Sequence, residues 1–197
     1  LENLDLSFRS RQSGETGIYI NSDLKITHRI LGELTYNQWK GGSNFIDKNK
    51  IRLGLGYLAN PKISFKLLNY LEDFNLEGQG KKISTTTLIS MYEFKKDFDL
   101  QLRINYKRKD ELNEKTDAGD IQFILKFPFL KNSFFKSRVK YSNFDFSEAN
   151  NSSFAFYLEE DLKLKENLFL LVQYVSKNYA DENRLDTQSV KIRLEVG

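Results

Sequence analysis

Cysteine is absent from this sequence of 197 residues. A chain without thiols has no disulfide, no thiolate metal site and no thiol nucleophile. Proline occurs only 2 times, which suits a chain made of strands, because proline cannot donate to a strand ladder. No stretch approaches the roughly 18 consecutive apolar residues of a membrane-spanning helix. These absences leave open both a bacterial envelope and a reducing cytoplasm.

The net charge and the mean hydropathy do not identify the class of protein. Net charge is +3, which is too small to indicate a nucleic-acid partner. Charged residues make up 29% of the chain and the mean hydropathy is -0.54, so neither value indicates a membrane protein. Aromatic residues reach 14%, mostly 16 Phe and 10 Tyr, which is rich for a small soluble domain. A transmembrane β-barrel remains possible, because only every second residue of its strands faces lipid.

The clearest pattern is the alternation in DFDLQLRINYKRK, residues 97–109. Phe98, Leu100, Leu102 and Ile104 share one parity, and polar, mainly cationic residues take the other. Successive side chains of a β-strand point to opposite faces, so the stretch predicts a strand with one apolar and one polar face. Similar alternation recurs about a dozen times, which is typical of a transmembrane β-barrel with lipid outside and water inside.

The sequence therefore predicts an all-β fold, a transmembrane antiparallel up-and-down β-barrel of about 12 strands around a water-filled lumen. The predicted strands cover about residues 3–10, 17–30, 33–40, 50–59, 62–72, 82–94, 97–109, 120–129, 133–144, 153–164, 168–178 and a last strand ending near residue 196. Residues 1–197 form one predicted domain, since no linker or plug helix is evident. The registers of strands 3, 6 and 11 stay open.

Strand number, strand length and loop length favour a barrel over a soluble sandwich. The strand number is even, and most strands reach about ten residues, enough to cross a bilayer at a tilt. Polar loops of about six to ten residues follow odd strands, and turns of about two or three follow even strands, as in outer-membrane barrels. This predicts a bacterial outer-membrane protein with both termini periplasmic. The first residues already read as a strand, so an exported protein would be the mature form.

The cationic side chains of the polar parity are the candidate functional residues. Those predicted to line the pore and bind substrate are Lys25, Arg29, Arg52, Lys66, Arg103, Lys107, Lys126, Lys136, Arg138, Lys140, Lys191 and Arg193. The acids predicted on the same parity are Asp23, Asp99, Glu159, Asp161 and Glu195, and those predicted in loops are Asp110, Glu111, Glu114, Asp117, Glu148, Asp181 and Glu182. Basic residues at a constriction attract anions, and arginine can bond carboxylates bidentately. Alternatively, these charges only solvate the interior and pair across strands.

No residue is predicted to be catalytic, and no metal or cofactor is predicted. His28, the single histidine, shares the apolar parity of its strand and is interpreted as interfacial. Gly54 and Gly56 lie within a strand with no helix following, so they do not form a phosphate loop. The pair of acids at 159 and 161 is interpreted as lysine partners rather than a hydrolytic pair. The residues predicted to anchor an aromatic girdle are Trp39, Tyr57, Tyr106, Tyr141 and Tyr174.

The opening of the chain carries a family resemblance. A short strand containing LDLSFRS precedes a second strand that ends LKITHRI and turns at once. With the chain length, the strand plan, the cationic lumen and the lack of cysteine, this resembles the oligogalacturonate-specific porin family, which includes a sialic-acid-inducible type. The resemblance implies a small monomeric outer-membrane porin for acidic oligosaccharides. The chain departs from the family in using lysine at many lumen positions and in ending without a terminal aromatic residue.

The expected function is that of an outer-membrane channel for passive diffusion of small anionic solutes, above all acidic sugars or oligosaccharides. The expected partners are outer-membrane lipid and these solutes, with no nucleic acid, and the expected state is a monomer. One alternative is a non-transporting outer-membrane barrel, an adhesin or anchor, that acts through its extracellular loops. Another is a soluble β-barrel or sandwich that buries its phenylalanine stripe around a ligand.

Overall fold

A computed structural model describes most of the chain. It covers residues 3–10, 15–41, 46–76, 79–95, 98–111, 114–128, 133–148, 151–165, 168–181 and 183–196. For residues 3–10, 15–16, 41, 46–47, 76, 79, 161, 163–165, 168–169 and 195–196 it describes the backbone alone. No helix in these ranges is long and apolar enough to cross a membrane.

The described residues form twelve β-strands. They are β1 (Asn3–Ser10), β2 (Glu15–Lys25), β3 (Ile30–Gly41), β4 (Ile46–Asn60), β5 (Ile63–Leu76), β6 (Gln79–Lys95), β7 (Phe98–Glu111), β8 (Glu114–Pro128), β9 (Ser133–Asn143), β10 (Ser152–Lys165), β11 (Leu168–Tyr179) and β12 (Thr187–Val196). The strands hydrogen-bond in sequence order from β1 to β12. The all-β, up-and-down architecture predicted from the alternation is therefore confirmed.

Contacts divide the chain into two compact units, which are described one at a time. The first unit contains residues 1–88 and 105–117, and the second contains residues 89–104 and 118–197. The assignment of residues 1–197 to one domain stays a prediction.

Strand register separates two faces in the first unit. Directly opposed residues of antiparallel neighbours share a face. Leu24, Gly32, Leu55 and Leu67 stand opposite one another in turn across β2 to β5, and the leucines are exposed. We call this side the apolar face. The side that carries Arg52 alternates with it, and we call that side the polar face.

The second unit repeats this division. Ile121 is opposite Tyr141, which is opposite Phe154, and all three are about half exposed. On the alternate face, Lys136 lies between Lys126 and Glu159 in register. The described apolar side chains are therefore mostly exposed, whereas a soluble sandwich would bury them between two sheets.

A row of aromatic rings marks the apolar face of the second unit, near the short-turn ends of the strands. Phe94 stacks on Phe98 with ring centroids 4.9 Å apart, and Tyr92 meets Phe94 edge-on at 4.6 Å. Phe127 continues the row, 6.0 Å from Phe98 and 5.1 Å from Phe135. Outer-membrane barrels carry aromatic girdles at the same place, where the apolar band meets water.

The predicted girdle was wrong for Trp39. Trp39 lies opposite Gly17 and Lys48, on the polar face, and only 8% of its surface is exposed. Its ring covers Gly17 so closely that an added Cβ would lie 2.6 Å from the ring carbon Cε3. Tyr57, Tyr106 and Tyr141 are on the apolar face and exposed, as expected of girdle residues.

The first even-numbered turn differs from the prediction. β2 ends at Lys25 rather than near residue 30, and β3 already begins at Ile30. The hydroxyl Oγ1 of Thr27 accepts hydrogen bonds from the backbone N–H groups of Arg29 (3.2 Å) and Ile30 (3.1 Å), which closes the turn. Arg29 and His28 are exposed in this turn. The alternation that placed Arg29 with the pore-lining residues therefore stops at Lys25, before it reaches Arg29. His28 is likewise in the turn and not on a strand face.

The connection after β7 is also shorter than predicted. β7 continues to Glu111 and β8 begins at Glu114, so most of the predicted loop 110–119 belongs to strands. Asp110 and Asp117 are strand residues rather than loop residues. β5 and β6 likewise extend to Leu76 and from Gln79 into their predicted loop. The strict alternation of long and short connections is therefore wrong in the middle of the chain.

The predicted turn at Asn60 is confirmed. The carboxamide Oδ1 of Asn60 accepts hydrogen bonds from the backbone N–H groups of Lys62 (2.8 Å) and Ile63 (3.0 Å). An asparagine that bonds its own following backbone is a common turn device, and Pro61 fixes the next dihedral angle.

Candidate functional site

The polar face gathers almost all of the predicted pore-lining cations. In the first unit these are Lys25, Arg52, Lys66 and Lys107. In the second unit they are Arg103, Lys126, Lys136, Arg138, Lys140, Lys191 and Arg193. Within each unit the register puts these cations on one face, while their role as pore lining stays a prediction.

Bases outnumber acids on the polar face of both units among the described side chains. The bases that the sequence reasoning left out are Lys48, Lys50, Lys81, Lys95, Lys109 and Lys177. The acids that it left out, or assigned to loops, are Glu33, Glu72, Glu93, Glu111, Glu114 and Asp120. The side chains of Asp161 and Glu195 lie outside the described ones. The cationic surplus predicted from parity thus agrees with the register, although more charges of both signs share the face.

Glu33 organises the polar face of the first unit. Its carboxylate accepts from the Lys66 ammonium at 2.5 Å and from the Arg52 guanidinium at 3.3 Å. Gly54 stands directly opposite Glu33 and leaves the space that the carboxylate needs, since a Cβ there would lie 3.0 Å from Glu33 Cβ. One acid therefore pairs with two of the predicted pore cations, and the three groups together keep one net positive charge. The sequence did not assign Glu33 to a face, because strand 3 has apolar residues on both parities.

The next row of the first unit is also internally matched. Lys50 pairs with Glu72 across β4 and β5, with 2.6 Å between Nζ and Oε1. The Tyr70 ring lies below two cations, with its centroid 4.8 Å from Lys50 Nζ and 5.6 Å from Arg52 Cζ. Cations held by carboxylates and rings have fewer donors left for a mobile anion.

A continuous row of polar side chains crosses the second unit. Lys126, Lys136, Glu159, Gln173 and Lys191 stand opposite one another in turn from β8 to β12. Glu159 is the single acid of the row, and it accepts from Lys136 Nζ at 3.2 Å and from Gln173 Nε2 at 3.0 Å. The row therefore keeps positive charge that its own acid cannot neutralise.

Arg138 belongs to the adjacent row and has no ion pair in the described part of the chain. Its guanidinium carbon lies 3.8 Å from the centroid of the Tyr157 ring, which stands directly opposite it. Its Nε is buried and has no hydrogen-bond partner, and the same is true of Arg103 Nε. A buried donor without a partner is costly, so both guanidinium groups are suited to an incoming acceptor.

A cavity of about 310 Å³ opens beside Lys126 and Lys136. Its walls include Asp99, Gln101, Lys126, Phe134 and Lys136. Lys126 Nζ lies 4.5 Å from the centroid of the Phe134 ring. Asp99 Oδ1 is buried here without a hydrogen-bond partner. The cavity thus combines two lysines with an aromatic ring, one carboxamide (Gln101) and two carboxylates (Asp99 and Glu159), so its lining side chains carry no net charge.

A second cationic cluster lies where β9 and β11 end. Lys177 and Arg184 both lie over the rings of Phe144 and Tyr179, at centroid distances between 4.3 and 5.8 Å. Arg184 comes from the last connection, and it also pairs with Asp181 at 3.4 Å. Arg184 therefore adds a positive charge at the end of the polar face. Strand alternation could not predict this position, because Arg184 lies outside the strands.

Other chemistry has no visible site. No group of three or more His, Cys, Asp or Glu side chains that could hold a metal ion occurs among the described residues. Glu159 is committed to Lys136 and Gln173, which agrees with its interpretation as a lysine partner.

Comparisons with known proteins identify the fold. No family model matches the chain, and no curated protein matches it. The structure of "KdgM porin in complex with disordered oligogalacturonate" matches with a TM-score of 0.53 and 12% sequence identity, over 92% of each chain. The alcaligin outer-membrane receptor FauA from Bordetella pertussis matches with a TM-score of 0.56 and 14% identity, over 93% of this chain. The siderophore receptor PirA from Pseudomonas aeruginosa matches with a TM-score of 0.58 and 9% identity, over 90% of this chain.

These matches differ in how much of the other protein they span. This chain covers 38% of FauA and 35% of PirA, whereas it covers 92% of the KdgM porin. The chain has the antiparallel up-and-down β-barrel fold of outer-membrane proteins. Its resemblance to the oligogalacturonate porins, drawn from the sequence, is confirmed at the level of the fold.

Proposed function

We propose that this protein is a monomeric channel of a bacterial outer membrane that lets small anionic solutes, in particular acidic sugars or oligosaccharides, diffuse passively. The polar face lines a water-filled lumen, and the exposed apolar face contacts lipid. Basic side chains at the lumen wall raise the local concentration of anions. No step of this function needs a catalytic residue or a cofactor.

The observation that carries the proposal is the set of cations without carboxylate partners in the second unit. Arg103, Lys126 and Arg138 form no ion pair with any side chain that the structure describes, and two of their nitrogen atoms are buried and unsatisfied. A carboxylate that accepts from such groups replaces a missing partner rather than competing with an existing one. The match, over 92% of each chain, to a porin in complex with disordered oligogalacturonate supports acidic sugars as the solute class.

The proposed orientation puts both termini on the periplasmic side. The described residues form twelve strands, an even number, so the first strand begins on the side where the last one ends. The connections after β9 and β11 are longer than the turn after β4, which agrees with long extracellular loops. The cluster of Lys177 and Arg184 would then lie at the extracellular mouth.

The test is the reversal potential of refolded protein in a planar lipid bilayer under a potassium chloride gradient. We expect a steady conductance, and we expect the sign of the reversal potential to show that chloride is more permeant than potassium. A cation-selective channel would refute the cationic lumen but keep the barrel. Folded and inserted protein without conductance would refute the channel itself.

A second candidate function is favoured by exposed apolar residues in two long connections. Leu185 is 86% exposed and Phe146 is 53% exposed, and both lie outside the strands. A non-transporting adhesin or anchor would use such residues to contact a partner. Replacing both by serine should leave conductance unchanged if the protein is a channel, and it should abolish cell or matrix attachment if the protein is an adhesin.

A further inference from the structure

The last connection of the second unit folds back on itself beside the end of β11. Its described residues are 180, 181 and 183–186. Asp181 Oδ1 accepts from the backbone N–H of Asn183 at 2.9 Å, and the backbone carbonyl of Asp181 accepts from the N–H of Arg184 at 3.0 Å. Asp186 Oδ1 accepts from the backbone N–H of Tyr179 at 2.9 Å, which ties the connection to the strand. Hydrogen bonds within the connection therefore set the position of Arg184.

Arg184 lies over the polar face rather than the apolar face. Tyr179 stands directly opposite Ser153 on β10. Ser153 shares its face with Ala155, which stands opposite the predicted pore-lining residue Lys140. The guanidinium carbon of Arg184 lies 5.8 Å from the centroid of the Tyr179 ring. The last connection therefore folds toward the side of the sheet that carries the cations.

Two further side chains complete this contact. Lys177 is on the same face of β11 as Tyr179, and its Nζ lies 4.3 Å from the centroid of the Tyr179 ring and 5.4 Å from that of the Phe144 ring. Arg184 Cζ lies 5.5 Å from the same Phe144 centroid. Phe144 follows β9, and its backbone N–H donates to the carbonyl of Asn151 at 2.8 Å. Two neighbouring connections thus meet in one group of side chains, Phe144, Lys177, Tyr179 and Arg184, which we call the mouth cluster.

The sheet under the mouth cluster is covered. Ser153 is 3% exposed and Ser142 is 7% exposed, although both lie on the polar face. Ala155 is 2% exposed and stands directly opposite Lys177. Short side chains on the face of a water-filled lumen are covered only if longer groups lie above them. The mouth cluster supplies such groups, so it projects over the sheet rather than away from it.

The mouth cluster and its two connections carry no surplus of positive charge. Arg184 Nε lies 3.4 Å from Asp181 Oδ2, and Asp186 is a second acid of the same connection. The connection after β9 contributes Asp145 and Glu148. Acids of the two connections therefore match or outnumber the two cations of the cluster. Such a group is poorly suited to select anions by charge, but it can limit the width of a passing solute.

We propose that the mouth cluster is a constriction that limits the width of solutes entering from the extracellular side. This inference rests on the proposed channel, in which the polar face lines the lumen. Arg184 determines the limit, because it joins the last connection to both rings of the cluster. Selection is then divided along the lumen, by width at the mouth and by charge at the unpaired cations of the second unit.

Thiol labelling tests whether the mouth cluster covers the sheet. The chain has no cysteine, so the variant Ser153→Cys has a single thiol in place of a hydroxyl. A charged methanethiosulfonate should modify it at least about tenfold more slowly than it modifies Leu185→Cys, because the reaction needs an exposed thiol. Adding Arg184→Ser should remove this protection. Equal rates in the two single variants, or protection that persists after Arg184→Ser, would overturn the proposal.

Exclusion of poly(ethylene glycol) from the channel in a planar bilayer measures the width limit. A polymer that enters the lumen lowers the conductance, and the largest polymer that does so should be smaller on the loop side than on the turn side. Arg184→Ser should abolish this asymmetry, whereas Leu185→Ser, in the same connection, should keep it. Equal limits from both sides of the unchanged protein would overturn the constriction. So would an altered reversal potential with an unaltered limit in Arg184→Ser, because Arg184 would then act by charge.

The two measurements separate failure of the constriction from failure of the channel. Labelling is read by mass spectrometry and needs no conductance. Slow labelling of Ser153→Cys in folded protein that conducts no ions would refute the channel, and the constriction with it, although the mouth cluster covers the sheet. Rapid labelling in protein that conducts would refute the constriction alone.

Discussion

The two units carry the same kind of polar face but treat its charges differently. In the first unit, Glu33 holds both Arg52 and Lys66, and Glu72 holds Lys50. In the second unit, Glu159 holds Lys136 and Asp120 lies 3.5 Å from Lys140, while Arg103, Lys126 and Arg138 have no acid partner among the side chains described there. The two polar faces have similar numbers of basic residues. They differ in how many of the hydrogen-bond donors on those residues are already held by a carboxylate.

This difference shows that pairing, rather than composition, determines where an anion can bind. A salt bridge between partly exposed groups adds little stability, but it occupies the donors of the cation. The first unit therefore holds Arg52, Lys66 and Lys50 in cross-strand pairs, although its polar face still has more bases than acids and Arg52 Nε is buried without a partner. The second unit presents guanidinium and ammonium groups that have no acid partner among the described side chains. Anion selectivity should accordingly depend on the second unit.

The largest effect is expected from removing the free cations. The triple variant Arg103→Gln, Lys126→Gln, Arg138→Gln should lower the chloride-to-potassium permeability ratio at least about tenfold, because each charge within about 4 Å of a passing anion contributes on the order of 1 kcal/mol even in water. The reversal potential measures this ratio. As a control, Lys50→Gln with Glu72→Gln removes a pair without changing net charge and should leave the ratio unchanged. An unaltered ratio in the triple variant would contradict the assignment.

The next effect should come from freeing cations in the first unit. Glu33→Gln removes the acid shared by Arg52 and Lys66, so the first unit should come to resemble the second. Anion preference should rise about threefold by the same Coulomb argument, and stability should fall by no more than about 1 kcal/mol, since the pairs are partly exposed. Reversal potential and urea unfolding give the two quantities. A fall in anion preference would refute the view that Glu33 masks these cations.

A smaller structural effect is expected at Gly54. An alanine Cβ there would lie 3.0 Å from both Glu33 Cβ and Leu68 Cδ2, whereas at Gly56 the nearest atoms are 3.8 Å away. Gly54→Ala should therefore displace Glu33 and destabilise the fold by about 1 kcal/mol through overpacking. Gly56→Ala is the matched control and should change little. Equal urea midpoints for the two variants would show that Glu33 does not need the space above Gly54.

The smallest effect should follow from removing a ring. Tyr157→Leu takes away the surface on which Arg138 lies and should weaken block of the channel by galacturonate about twofold, as expected for one exposed cation–π contact. Tyr70→Leu removes the corresponding ring of the first unit. It should not alter block, because Glu33 still holds Arg52. If both substitutions weaken block equally, the two units do not differ in the way proposed.

Much of the fold was predictable from side-chain alternation. Strands such as β7 and β10 carry apolar residues on one parity. The face predicted for each residue stays correct even where the strand ends are misplaced by a few residues. Strand ends were less predictable. Around Thr27 the alternation continues through the turn, and the hydroxyl that closes the turn leaves no trace in hydrophobic periodicity. At residues 110–119, charged residues suggested a loop although strand ends beyond a membrane can be as polar as loops.

The candidate site was predictable in its residue types but not in its pairing. Parity put Arg52, Arg103 and Arg138 on one face, and the register agrees. Parity could not show that Arg52 pairs with Glu33, because Glu33 lies in a strand with apolar residues on both parities. The burial of Trp39 was missed for the same reason, since its face is fixed by pairing with β2 and β4 rather than by its own strand.

The most direct test of this account is anomalous X-ray scattering from crystals of the protein soaked in bromide. The account predicts bromide peaks beside Arg103, Lys126 or Arg138 in the second unit, and none between Arg52 and Lys66 in the first. Bromide bound at Arg52 and Lys66, with the second unit empty, would contradict the claim that unpaired cations define the anion path.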